Sequence, residues 1–141
     1  MTDKITPEKR SQVMARVKSE NTTPEMAVRS WLHHNGYRFR LYRKDLPGCP
    51  DIALPKYKTV VFVHGCFWHR HEGCKRASTP ENNKEYWLAK FERNVARDER
   101  VRQELQDLGW RVVVIWECEV RNVLSSALLR AAIGPEKKTA F

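Results

Sequence analysis

The chain reads as an α/β fold, a mixed sheet covered by helices on both sides, and three observations predict it. Two unbroken apolar runs, Val60-Val61-Phe62-Val63 and residues 112–116, are rich in β-branched residues and lack the alternation of a half-exposed strand, so each reads as a strand buried on both faces. Segments with apolar residues at helical spacing flank both runs, which asks for cover above and below the sheet. At 141 residues the chain is long enough for one domain with a real core and too short for two.

Taken in order, Thr6-Pro7-Glu8 opens a first helix with a capping hydroxyl, a proline in the first turn and an acid near the positive end. The segment that follows carries Val13, Met14 and Val17 among Lys9, Arg10, Arg16 and Lys18. It is too basic for a core helix, so residues 1–20 read as a surface helix or arm. Thr23-Pro24-Glu25 repeats the start signal, and Asn35-Gly36 ends that helix with a residue suited to positive φ. Residues 37–42 alternate aromatic or Leu with Arg, the pattern of a half-exposed strand. Leu46-Pro47-Gly48-Cys49-Pro50 is a turn, residues 51–54 a short strand, and residues 55–58 a second turn into the first apolar run. A long helical pattern opened by Thr79-Pro80-Glu81 runs over residues 79–108, with Asn94 and Asp98 interrupting its rhythm, and Gly109 ends it. A final amphipathic helix is expected over residues 120–132, ahead of a polar tail. The main domain is therefore placed at 21–134 and the tail at 135–141.

The charge balance is strongly positive: 26 Lys and Arg against 17 acids, a net +9. Nucleic acid is the commonest partner for such an excess, because cations displace the counterions condensed on phosphates. No run approaches the ~20 apolar residues of a membrane span. The polar N-terminus carries no secretory signal pattern, so a cytoplasmic, membrane-free protein is expected. In that reducing setting Cys49, Cys66, Cys74 and Cys118 read better as metal ligands than as disulfides.

The chemistry concentrates in residues 59–74, T-V-V-F-V-H-G-C-F-W-H-R-H-E-G-C. Cys66, His71 and Cys74 have metal-ligand spacing, and Cys118 ends the second apolar run. If the two runs are neighbouring strands, the four form a Cys₃His tetrahedron suited to structural Zn²⁺; the competing reading leaves Cys118 a core thiol. Cys49, between Gly48 and Pro50, is a turn residue. Asp51 opens the strand before the central run, and a hairpin would bring its carboxylate beside His64. Glu25 could face the same point. A carboxylate, a main-chain carbonyl and waters are what Mg²⁺ accepts, with His64 and His69 placed for proton transfer or for holding a phosphate. The alternative for Asp51 is a turn cap. Phe67 and Trp68, inside the metal loop, read as exposed wedges between base steps; Trp87 alone reads as ordinary core.

These residues resemble a known family. T-P-E at 23–25, L-P-G-C-P-D at 46–51, V-F-V-H-G-C-F-W-H-R-H at 61–71, W-L-A-K-F-E-R-N-V-A-R-D at 87–98 and G-W-R-V-V-V-I-W-E-C at 109–118 are similar to the very-short-patch repair (Vsr) mismatch endonucleases. The resemblance implies the fold of type II restriction endonucleases, with a histidine at the lysine position of the PD-(D/E)xK pattern. By position, Asp51 would bind Mg²⁺ with the Val63 carbonyl, while Glu25, His64 and His69 surround the metal waters and His69 is the general base. Cys66, His71, Cys74 and Cys118 would hold zinc. Phe67, Trp68 and Trp87 would enter the duplex from one groove and the N-terminal helix, through Met14, from the other, with Lys90 and Asn94 near the mispaired bases. Position 63 is Val where the family has Thr, the zinc loop is one residue longer, and Cys49 replaces an Arg.

The implied activity is a monomeric, Mg²⁺-dependent nicking of one strand beside a T:G mismatch left by deaminated 5-methylcytosine, on double-stranded DNA at the bacterial nucleoid, with other repair proteins as candidate partners. Two readings compete with it: a restriction-type enzyme of the same fold cutting matched DNA, and a zinc-containing DNA-binding module without catalysis.

Overall fold

The computed structural model describes residues 22–135. The N-terminal arm at 1–20, with Met14, and most of the tail lie outside the described residues. Four strands form one mixed sheet in the order β1-β2-β3-β4: β1 Arg40–Leu41, β2 Ile52–Leu54, β3 Thr59–His64 and β4 Arg111–Trp116. The first three pair antiparallel and β3 pairs parallel with β4, His64 lying opposite Trp116. Parallel neighbours need a long crossover. Here it comprises a one-turn helix α2, Cys66–His69, an irregular loop, and the 24-residue helix α3, Lys84–Asp107.

Alternation along β3 and β4 divides the core. On one face Val61, Ile115, Ile52 and Leu54 pack against α1, Thr23–His34, and against α4, Val120–Leu124, and α5, Leu128–Ile133, through Val28, Leu32, Val120, Leu129 and Ile133. On the other face Ala53, Val60 and Val112 meet Val101 and Leu105 of α3, with Trp110 beside them. His64 shares the α3 side, at the C-terminal ends of the two parallel strands, where open α/β sheets place their crevices. Among the described residues no helix is long and apolar enough to cross a membrane.

The two apolar runs are adjacent strands, as expected, and both carry helices. Four elements differ from the expectation, each for a local reason. Helix α1 is capped one residue early, the Thr22 hydroxyl accepting from the Glu25 amide at 3.4 Å. Strand β1 shrinks to two residues because β2 offers only three before Pro55, and Tyr42 leaves the sheet with φ +50°. Helix α3 begins at Lys84 because the Thr79 hydroxyl is taken by Arg70 at 2.9 Å and Asn83 is left-handed; it is one unbroken helix. The last helix divides because Ser125 and Ser126 turn their hydroxyls back on the carbonyls of Asn122 and Val123, offering the backbone an alternative to helix.

One glycine is required by packing. Gly48 has φ +72°, and a Cβ there would lie 2.4 Å from Val101 Cγ1. The turn that delivers Asp51 therefore rests directly on α3.

Candidate active site and metal centre

Asp51 stands immediately before β2, and the hairpin register Ile52–Val61 carries its side chain to the far end of β3. There Asp51 Oδ2 accepts the Val63 amide at 2.9 Å. This side-chain bond replaces a ladder bond and fixes the carboxylate at the mouth of the central strand. Glu25 of α1 adjoins the same carboxylate and is not among the residues lining the cleft; it is 2% exposed. Its Oε2 accepts from Tyr42 Oη at 2.6 Å and from Arg29 at 2.8 Å, and Arg29 also donates to Tyr42 Oη. Burial and the adjoining Glu25 charge push Asp51 up to about 6, against the opposing pull of the Val63 amide.

His64 is 8% exposed, between Phe62 and Trp116 with ring centroids at 5.6 and 5.3 Å. Burial, then the neighbouring His69, hold its pKa down to about 4, so the ring is neutral. His69 stacks on it, centroids 3.8 Å apart and planes within 4°. His69 Nδ1 donates to Asp98 Oδ2 of α3 at 2.6 Å, which leaves the basic lone pair on Nε2. Donor atoms of His64, His69 and Asp98 lie within 4.8 Å of one another. Imidazole lone pairs lie in the ring plane, however, so two stacked rings aim in parallel rather than converge on an ion. The arrangement suits proton transfer better than metal ligation.

Asp51, His64, His69 and Asp98 line one cleft of about 720 Å³, whose wall also includes Phe67, Trp68 and Glu117. Behind α2, Cys66, His71, Cys74 and Cys118 bring their donor atoms within 4.8 Å of each other and could hold a metal ion. His71 Nδ1 is 3.6 Å from Cys66 Sγ and 3.3 Å from Cys118 Sγ, and the Cys74 and Cys118 sulfurs are 3.8 Å apart. Cys118 reaches them because β3 and β4 are parallel neighbours. Glu117, beside it, accepts the Cys66 amide at 3.1 Å and ties the loop's start to the end of β4. His71 stacks on Trp116 at 4.3 Å, and its Nε2 faces Glu119 at 3.5 Å. Cys49 lines the cleft instead and takes no part in this group.

The expected exposed wedge is a half-buried cluster. Phe67 meets Trp68, Trp87 and Phe91 at 5.0, 5.8 and 5.1 Å, and Trp68 meets Trp87 at 6.0 Å. Trp87, which by itself reads as core, belongs to the same cluster. Lys90 Nζ lies 5.3 Å from the Trp68 ring, and Asn94 Nδ2 donates to the Trp68 carbonyl at 3.1 Å. Both therefore steady the cluster from α3. Arg70, left-handed at φ +56°, stacks on Phe91 at 4.0 Å and donates to the carbonyls of Phe67, Ala77 and Ser78.

Comparison with known proteins decides the family. The family described as DNA mismatch endonuclease Vsr matches residues 2–76. A type II nicking enzyme of Xanthomonas oryzae is 52% identical over 96% of this chain and 99% of its own. The DNA mismatch endonuclease Vsr of Escherichia coli is 42% identical over 80% of this chain and 72% of its own. A further type II nicking enzyme, from Neisseria meningitidis, is 47% identical over 86% of each chain. The chain belongs to the Vsr family. It is a DNA mismatch endonuclease.

Around this Vsr-family site, one cleft residue and two residues that hold Glu25 carry little mark in the sequence. Asp98 looked like an interruption of a helix, although Phe91, Asn94, Asp98, Val101 and Leu105 fall three and four apart on one face. An acid on an otherwise inward face was the available signal. Arg29 and Tyr42 carried no such mark: one is an ordinary helix cation and the other an ordinary strand aromatic until the fold sets both on Glu25.

Proposed function

We propose that this Vsr-family chain is a Mg²⁺-dependent nuclease that nicks one strand next to a T:G mismatch in double-stranded DNA, acting as a monomer on a restriction-endonuclease-like fold clasped by zinc. One observation carries the reading: the Asp51 carboxylate and the His69–Asp98 pair line the same cleft as Phe67 and Trp68, so strand chemistry and base-stack intrusion share one surface.

The donor sets fit the two ions. A tetrahedron with Zn–S bonds of about 2.3 Å has sulfur–sulfur edges of about 3.8 Å. The Cys74–Cys118 separation is 3.8 Å, and three thiols with one imidazole suit zinc. Asp51, adjoined by Glu25 and set at the Val63 peptide, is an oxygen site suited to Mg²⁺, which Asp51 and the Val63 carbonyl would hold. When bound there, Mg²⁺ supplies charge neutralisation and a polarised water.

The side chains divide the remaining work. His69 Nε2 takes a proton from the attacking water as its oxygen bonds to phosphorus and the bond from phosphorus to the leaving deoxyribose oxygen breaks; that oxygen is protonated by solvent. Asp98 holds the His69 tautomer and stabilises the imidazolium that forms. Neutral His64 keeps the stack in register and can donate to a phosphate oxygen. Phe67, Trp68 and Trp87 wedge between base steps, Lys90 and Asn94 lie near the mispaired bases, and Met14 is assigned to the other groove. A wobble pair unstacks at lower cost than a matched one, which is the source of selectivity.

The test uses end-labelled duplexes carrying T:G or C:G, with Mg²⁺ or EDTA, and Asp51→Ala. Single-strand incision confined to T:G, Mg²⁺ and the unmodified protein is expected. Equal cutting of the matched duplex would instead support a restriction-type enzyme, and binding without incision a non-catalytic module.

A further inference from the structure

Among the described residues, the cleft wall is short of positive charge for a phosphodiester. Asp51, Asp98 and Glu117 line it, and Arg97 is the single Lys or Arg among the described lining residues. That scarcity is notable in a chain with 26 Lys and Arg. Arg97 lies on the face of α3 that carries Asn94, Asp98 and Val101. Those three are already engaged, on the Trp68 carbonyl, on His69 and against Gly48. Arg97 makes no hydrogen bond and no ion pair among the described residues. Its neighbour Asp98 is spent on His69, so the cation lines the cleft without an ion-pair partner among the described residues. It lines the same cleft as Asp51, His64 and His69.

We infer that Arg97 is a catalytic residue that grips the non-bridging oxygens of the phosphate under attack. The inference rests on the endonuclease reading of this cleft and adds to it the group that meets charge developing on the phosphoryl oxygens. A guanidinium presents a planar, permanently charged fork matched to two such oxygens. Engaging the reacting phosphate rather than a remote one makes the contact strengthen as charge builds, so its loss falls on the rate rather than on affinity.

The experiment compares the full chain with Arg97→Gln and Arg97→Lys in single-turnover nicking of a T:G duplex with Mg²⁺ at saturating protein. Binding to the same duplex is measured in Ca²⁺, and the phosphate at the nick site is also prepared as each phosphorothioate diastereomer. Arg97→Gln is expected to slow nicking about 100-fold while changing the dissociation constant less than about threefold. Arg97→Lys should recover about tenfold of that loss, since charge returns without the fork. Sulfur at one diastereotopic position should slow the unmodified protein more than it slows Arg97→Gln, because only the former has a contact there to lose. An unchanged rate in Arg97→Gln overturns the inference. So does a rate loss matched by weaker binding of T:G and C:G duplexes alike, with a shallower salt dependence and an unaltered sulfur effect, which marks a general backbone cation. Absence of nicking by the unmodified protein overturns the reading of the cleft itself.

Discussion

Asp51 and His64 are displaced in opposite directions by the same cause, burial at the end of β3. Asp51 is raised to about 6, so between its ordinary value and 6 the folded protein holds a proton that the unfolded chain has lost, and stability falls as pH rises through that window. His64 is lowered to about 4, so between 4 and its ordinary value the unfolded chain holds the extra proton, and stability rises with pH. Each displacement is equivalent to about 3 kcal/mol, and the two windows nearly coincide. Without added Mg²⁺ the pair should therefore leave the melting temperature almost independent of pH between about 4 and 6.5. Asp51→Asn should expose the His64 contribution, with stability climbing as pH rises. His64→Leu should expose the opposite slope. Thermal melts across that range check both, and parallel curves for all three proteins would mean that neither group is displaced.

At the scale of elements, the loop between α2 and α3 depends on two independent fastenings. One is the Cys and His group, which draws Cys66, His71, Cys74 and Cys118 together. The other is Arg70, which satisfies three carbonyls and the Thr79 hydroxyl while lying on Phe91. Irregular backbone that leaves such carbonyls unpaired is costly, and charged donors contribute more than neutral ones. Arg70→Leu should lower stability by about 3 kcal/mol, or the melting temperature by roughly 10 °C. It should speed proteolysis within residues 71–83 while leaving bound metal per chain unchanged. Loss of metal together with the melting shift would instead make the two fastenings one unit.

For the whole molecule, the net charge of +9 and the aromatic cluster are expected to contribute separately. Charge acts on phosphates without regard to pairing, whereas rings act where a step opens. Affinity for T:G and C:G duplexes should therefore fall in parallel as salt rises, with a log–log slope of about −5 in each case. Trp68→Ala should reduce the preference for T:G by about tenfold, the stacking of one base, and leave that slope untouched. Filter binding or anisotropy at several salt concentrations measures both quantities. A slope that changes with Trp68→Ala would show that the rings also position the backbone cations.

Much of this protein was determined by short-range features that sequence carries openly. Apolar runs set β3 and β4, Pro and Gly set the turns, and the spacing of Cys66, His71 and Cys74 marked a ligand group before any fold was known. Chemical residue types within residues 59–74 likewise marked His64 and His69, and the hairpin expected before that stretch pointed Asp51 toward them. What only the tertiary structure decided are the pairings between groups whose local patterns are ordinary. Asp98 meets His69 across 29 residues, Tyr42 meets Glu25 across 17, and Thr79 surrenders its capping hydroxyl to Arg70 nine positions away. Propensity and periodicity act through neighbours a turn or two apart, so they place backbone. A carboxylate or guanidinium acquires its role from whatever charge the packed chain sets beside it in a site shielded from water, and that partner is chosen by the fold.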